Sequence, residues 1–166
     1  MIVEQLQQFI AWLYSPEIIA NDTLGNVILR VIIVMVLFRS IVAKLVKYNL
    51  YNEIKMLPDY LVEEIIYGDT FTAVVIMTMS VVSEEILYFG IPYYIAQRFF
   101  YDHIYNIMLL SGIIWSIAHI YPKKIILLLP EGILRSMLWL SGYWYISVIQ
   151  HIINNIVALL ILKKQI

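Results

Sequence analysis

Long apolar runs, broken by a few polar clusters, alternate along the chain, and each run has the length of a helix rather than a strand. Ile2, Leu6, Phe9, Ile10 and Leu13 keep near-helical spacing, with Glu4, Gln5, Gln7 and Gln8 between them. That pattern predicts a short amphipathic helix over 2–14, too short to span and suited to a membrane interface. Ser15-Pro16 interrupts it, and Asp22-Thr23 offers a cap for a run from Leu24 to Val46. Arg30 and Arg39 stand near the two ends of that run, where long side chains snorkel to water. The most polar stretch, Lys47 to Asp69, with Lys55, Asp59, Glu63 and Glu64 around Pro58, reads as a loop and a surface helix. Four further runs come after it: Thr70 to Ala96 with Pro92 bending its far end, Ile104 to Ile120, Ile125 to Leu140, and Tyr143 to Leu162. Pro130-Glu131-Gly132 predicts an interruption of the third of these, and Ser141-Gly142 a turn. The expected fold is all-α: a polytopic transmembrane helical bundle of about five spans plus an N-terminal interfacial helix, in a single membrane domain over 1–166.

Composition sharpens this picture. The chain is 62% hydrophobic and 14% charged, against ~45–50% and ~25% in a soluble domain. A net charge of −1 argues against nucleic acid as a partner. With no cysteine, disulfides, thiolate metal sites and a cysteine nucleophile are excluded. Met1-Ile2-Val3-Glu4-Gln5 lacks the basic n-region of a signal peptide, and no internal repeat is visible. Lys44, Lys47 and Lys55 follow the first span, Lys123 and Lys124 the third, and Lys163 and Lys164 the fifth. Alternation then predicts the N-terminus outside and the C-terminus in the cytosol.

Glu84 and Glu85 stand side by side inside a run that is otherwise apolar from Phe71 to Ala96. A charged carboxylate at the bilayer centre costs ~2.5–3.5 kcal/mol, so two in succession need partners, a proton or a task. His119, four residues after Trp115, ends the third span, and His151 and Asn155 share one face of the fifth. A carboxylate, two imidazoles and an amide are the parts for activating a water and stabilising an oxyanion.

Glu84-Glu85-Ile86-Leu87-Tyr88-Phe89-Gly90, then Trp115-Ser116-Ile117-Ala118-His119, then His151-Ile152-Ile153-Asn154-Asn155 resemble three ordered motifs of one family. It is the CAAX-protease and bacteriocin-processing family of intramembrane proteases, related to the Rce1-type prenyl-protein endopeptidase. Its pattern is EExxxR, an aromatic residue four before a His, and HxxxN. The likeness covers about 70–162, the family's core helices. By resemblance, Glu84 is the water-activating glutamate, His119 the second-motif histidine, and His151 and Asn155 the residues that bind water or oxyanion. Glu85 is the supporting glutamate. The family's motif arginine is Phe89 here, and Arg135, in mid-segment on the fourth span, is the best replacement cation for Glu85. Arg39 is the weaker one.

The resemblance implies hydrolysis of a membrane-associated or prenylated protein or peptide substrate in the lipid bilayer, with no covalent intermediate. It permits either a metal-free glutamate mechanism or zinc held by Glu84, His119 and His151. Taken singly, each motif has a plainer reading. Glu84-Glu85 could pair with Arg30, Arg39 or Arg135 for structure, His119 could be interfacial, and His151 with Asn155 could bond between helices. Ser116 has no base set against it. His103 reads as solvated, and Tyr93, Tyr94, Tyr143 and Trp144 as an interfacial belt. Two rival functions stay open: an inactive relative that binds a partner or lipid, and a small ion or metal transporter, which the lack of a repeat disfavours.

Overall fold

The computed structural model describes residues 2–45, 68–119 and 122–163. The loop and surface helix expected between Lys47 and Asp69 fall on 46–67, outside the described residues, as do Tyr121 and Lys164. Among the described residues seven helices occur in order: α1 (Ile2–Tyr14), α2 (Pro16–Ala20), α3 (Leu24–Leu45), α4 (Thr70–Phe99), α5 (Ile104–Ala118), α6 (Pro122–Leu140) and α7 (Trp144–Lys163). No strand occurs among the described residues.

Local chemistry sets the boundaries. Ser15 Oγ caps α2 by accepting from the Ile18 N–H at 3.4 Å, with Pro16 in the first turn, where no donor is needed. Thr23 caps α3 through the Asn26 N–H at 3.3 Å, and Asp69 caps α4 through the Thr72 N–H at 2.8 Å. At Gly142 the backbone turns with φ 81°, which a side chain would resist. The helices run alternately between two ends. At one, Lys163 Nζ of α7 donates to the Gly68 carbonyl at 2.7 Å, just before α4. At the other, Ser141 Oγ donates to the Pro16 carbonyl at 2.9 Å and Tyr143 Oη to the Asp22 carbonyl at 3.1 Å. Tyr143 therefore tethers the start of α7 to the start of α3.

Arg30 corrects an expectation as well. It does not snorkel: its side chain is fully buried, paired with Asp22 and lying over the Trp12 ring at 4.8 Å. The Trp12 contact ties α1 to the bundle, where Leu13, Ile19, Val27, Val31, Val34, Leu134, Met137 and Leu138 form one core cluster. The Asp22 carboxyl is held below the usual range, first by the Asn26 amide at 2.5 Å and with help from the Thr23 N–H and Arg30. Its contribution is thus present above the ordinary aspartate pKa and lost as pH falls through the lower folded value. Acidification below about pH 4 is expected to loosen α1 and α2 first, read as faster amide exchange over 16–26. Protection relative to the intrinsic exchange rate that stays constant with pH there would sever Asp22 from the tether.

Among the described residues three helices are long and apolar enough to cross a membrane by themselves, at Leu24–Leu45, Thr70–Phe99 and Trp144–Ile161. The remaining two of the five expected spans differ physically. With 15 residues, α5 covers ~22 Å of a ~30 Å hydrocarbon core, and α6 carries Lys123, Lys124, Glu131 and Arg135. Most of the second half of α6 is buried, including Glu131 and Arg135. The expected break at Pro130-Glu131-Gly132 is absent, and α6 runs through it continuously. Proline is tolerated in such a helix because neighbouring helices re-satisfy the freed backbone.

Gly132 has a different task. A β-carbon there would strike the Gly112 carbonyl of α5, and one at Gly112 would strike the Gly132 carbonyl. Ser116 Oγ donates to the Gly112 carbonyl at 2.9 Å and Ser136 Oγ to the Met108 carbonyl at 2.5 Å. The two helices therefore cross on a four-residue small-residue stripe, Gly112 with Ser116 against Gly132 with Ser136. Gly112→Val meets backbone, not a flexible side chain, so it should destabilise by about 3 kcal/mol, seen as a lower unfolding midpoint in detergent. Wild-type stability in that variant would contradict the close crossing.

Candidate active site

Glu84 and Glu85 end the regular part of α4, and the helix widens immediately after them. Ile86–Gly90 forms a π-helical turn, with the Ile91 N–H bonded to the Ile86 carbonyl five residues back. Pro92 has no N–H to give the Tyr88 carbonyl in the ordinary α pattern, and Ser111 Oγ of α5 donates to that carbonyl instead. Single π-turns often mark functional sites, and this one sits directly against the paired glutamates.

Glu85 is buried and fully engaged. Arg135 Nη1 of α6 and His151 Nδ1 of α7 meet its Oε1, the latter at 3.0 Å. Trp139 Nε1 and Ser147 Oγ donate to its Oε2 at 3.1 and 3.0 Å. Four partners fill the lone-pair sites of a carboxylate, so His151 Nδ1 acts as a donor and its Nε2 turns the other way. Arg135 also gives Nη1 to the Ser147 carbonyl at 3.0 Å and Nη2 to Glu131 Oε1 and Gln150 Oε1, each at 2.5 Å. Its guanidinium lies over the Trp115 ring at 5.0 Å. Phe89, which holds the place of the motif arginine, packs with Met108, Trp115 and Leu128. The structure thus brings the cation to Glu85 from another helix.

Glu84 differs from its neighbour. Its side chain is 33% exposed, Oε2 accepts from Trp115 Nε1 at 3.2 Å, and His151 Nε2 stands 3.8 Å from the same oxygen. His151 therefore bridges the two glutamates, one on each ring nitrogen, and is itself buried. The Trp115 indole is the post around which the cluster stands. The His119 ring meets it edge-on at 4.8 Å and the His151 ring at 5.5 Å, and His119 Nδ1 bonds the Trp115 carbonyl at 2.9 Å. His119, His151 and Asn155 line a cavity of about 60 Å³, together with Arg39, Lys124, Glu131 and Asn154. That is room for a few waters.

The zinc set fails the test of fit. Among the described residues no three His, Cys, Asp or Glu side chains gather as metal ligands, and the imidazoles of His119 and His151 each pack against the Trp115 indole. Ser116 is buried in the α5–α6 contact, donating to the Gly112 carbonyl. Arg39 does not reach Glu85; it stands 3.8 Å from Glu131. Sequence reasoning missed Glu131, Trp139, Ser147 and Gln150. For Glu131 a signal existed: it precedes Arg135 by four residues, the spacing of a helical ion pair.

No curated protein and no solved structure matches the chain. A family model does: that of the type II CAAX prenyl endopeptidases, Rce1-like, over residues 60–157, more than half of the 166. The match takes in all three motifs, with α4, α5 and α6 whole and α7 as far as Val157. With three helices apolar enough to span and a membrane protease family behind it, this is an integral membrane protein. The chain belongs to the Rce1-like family of CAAX prenyl endopeptidases.

Proposed function

We propose that the protein hydrolyses a peptide bond of a prenylated, membrane-associated substrate with a water activated by Glu84. The observation that carries this reading is the position of His151, between Glu85 on Nδ1 and Glu84 on Nε2. One glutamate is saturated by four partners and orients the imidazole; the other is partly open and has a contact to spare. A water beside Glu84 gives its proton to that carboxylate, and the resulting hydroxide forms a C–O bond at the scissile carbonyl. Asn155 donates to the oxyanion, joined by His151 Nε2 when the ring carries a proton on both nitrogens, and His119 completes the wall of the same cavity. When the C–N bond breaks, the proton on Glu84 passes to the departing amine, so the products are an acid and an amine with no covalent intermediate.

The cavity is reached from the end of the bundle that carries Lys124. Lys44, Lys123 and Lys163 mark the same end by sequence, which supports a cytosolic opening. The test is direct: the purified protein should release the C-terminal residues from an S-farnesylated C-a-a-X peptide in detergent or liposomes. Intact peptide after prolonged incubation, with a correctly folded protein, would overturn the reading.

A further inference from the structure

Away from the bridge between the two glutamates, one charged pair lacks a hydrogen bond. Arg39 Nη1 of α3 and Glu131 Oε2 of α6 face each other at 3.8 Å, beyond hydrogen-bond range. Both atoms are buried, and neither has a hydrogen-bond partner. The Glu131 side chain is 4% exposed, and its other oxygen is already taken by Arg135 and by Gln150 Nε2 at 3.3 Å. Both residues belong to the wall of the cavity that holds His151 and Asn155. A buried carboxylate oxygen and a guanidinium nitrogen left unmatched are costly, and each calls for a partner.

The backbone aims Arg39 there. Ile33–Phe38 is a second π-helical turn, and the Arg39 N–H bonds the Val34 carbonyl five residues back. The widened turn shifts the helical register from Arg39 onward. The only two π-turns among the described residues thus flank the glutamate pair and Arg39.

We infer that Arg39 and Glu131 bind the free C-terminus of the substrate. The gap fits a group that brings an acceptor for the guanidinium and a donor for the carboxylate. A peptide C-terminus brings both, in its α-carboxylate and in the N–H of its last residue. Arginine's planar fork suits a carboxylate. This inference rests on the endopeptidase reading, whose substrate class ends in a C-terminal C-a-a-X sequence. Arg39 thereby selects chain ends over internal peptide bonds, by charge.

The experiment compares two forms of one probe, an S-farnesylated Cys-Val-Leu-Ser peptide ending as the acid or as the amide. Binding is measured on Glu84→Gln protein, which removes hydrolysis from the readout. The acid should bind roughly tenfold or more tightly than the amide. In the Arg39→Gln background the acid should bind no better than the amide, and Arg39→Lys, a charge without the fork, should keep part of the preference. Equal binding of acid and amide by protein that retains Arg39 overturns the inference without recourse to any Arg39 variant, as it would if water alone bridged the pair. An acid preference that survives Arg39→Gln overturns it too. Cleavage by the wild-type protein is followed separately. Acid-selective binding without cleavage sinks the endopeptidase reading alone, and cleavage without acid selectivity sinks the carboxylate site alone.

Discussion

Glu84→Gln is expected to lower hydrolysis of a prenylated peptide by ~10²-fold or more and to leave the protein folded. The direction is set by the contacts of each glutamate. Glu84 accepts from Trp115 Nε1 at 3.2 Å and otherwise meets His151 Nε2 at 3.8 Å and Ser80 Oγ at 3.5 Å. A glutamine amide oxygen keeps the Trp115 bond, so the indole post and the two imidazoles against it should stay in place. The substitution removes the capacity to take a proton from water. Glu85→Gln should behave differently, because its oxygens accept from Arg135, His151, Trp139 and Ser147. An amide nitrogen in that position would face donors with a donor, and the loss should appear in stability as well as in rate. Measuring kcat and the unfolding midpoint for both variants separates base from scaffold. A Glu84→Gln protein that cleaves at the wild-type rate ends the general-base assignment. It would not pass to Glu85, whose lone pairs are occupied.

The amphipathic helix over 2–14 was legible because its spacing is regular and Ser15-Pro16 ends it. The three longest spans were legible because burial in lipid demands long apolar runs. Arg30 was not. Its partners, Asp22 and Trp12, lie on the far sides of a helix break, and no periodicity carries across such a break. The 130–132 segment misleads for a related reason. Proline and glycine around a charge look like a loop, yet the proline is accommodated, the glycine admits a neighbouring backbone, and the charge points inward to a cation. The four-residue spacing of Gly112 with Ser116 and of Gly132 with Ser136 was readable as a helix contact, but which stripe meets which is a tertiary fact. The motif order singled out Glu84, Glu85, His119, His151 and Asn155 as candidates, and chemical need pointed to Arg135, which pairs with Glu85. The packing of both imidazoles against Trp115 came only from side-chain directions.

Arg135→Gln is expected to cost ~3–5 kcal/mol, the scale for removing one partner of a buried ion pair, and to abolish most activity with it. Two carboxylates depend on this one guanidinium: Glu85 through Nη1 and Glu131 through Nη2. All three side chains are at most 4% exposed, so water cannot substitute for the lost charge. The same guanidinium holds the Ser147 carbonyl and Gln150, and lies over Trp115, which ties α7 and α5 to α6 at the site. Phe89→Arg is the informative second change. Position 89 is one helical turn from Glu85 on α4, fully buried against Met108, Trp115 and Leu128. An arginine there can return a cation to Glu85 from the position the family motif uses. It cannot reproduce the bond to Glu131, so the double variant Arg135→Gln with Phe89→Arg should recover part of the stability and activity, not all. A single Arg135→Gln variant with unchanged melting and full cleavage would show that Glu85 needs no cation. It would then be held by His151, Trp139 and Ser147 alone.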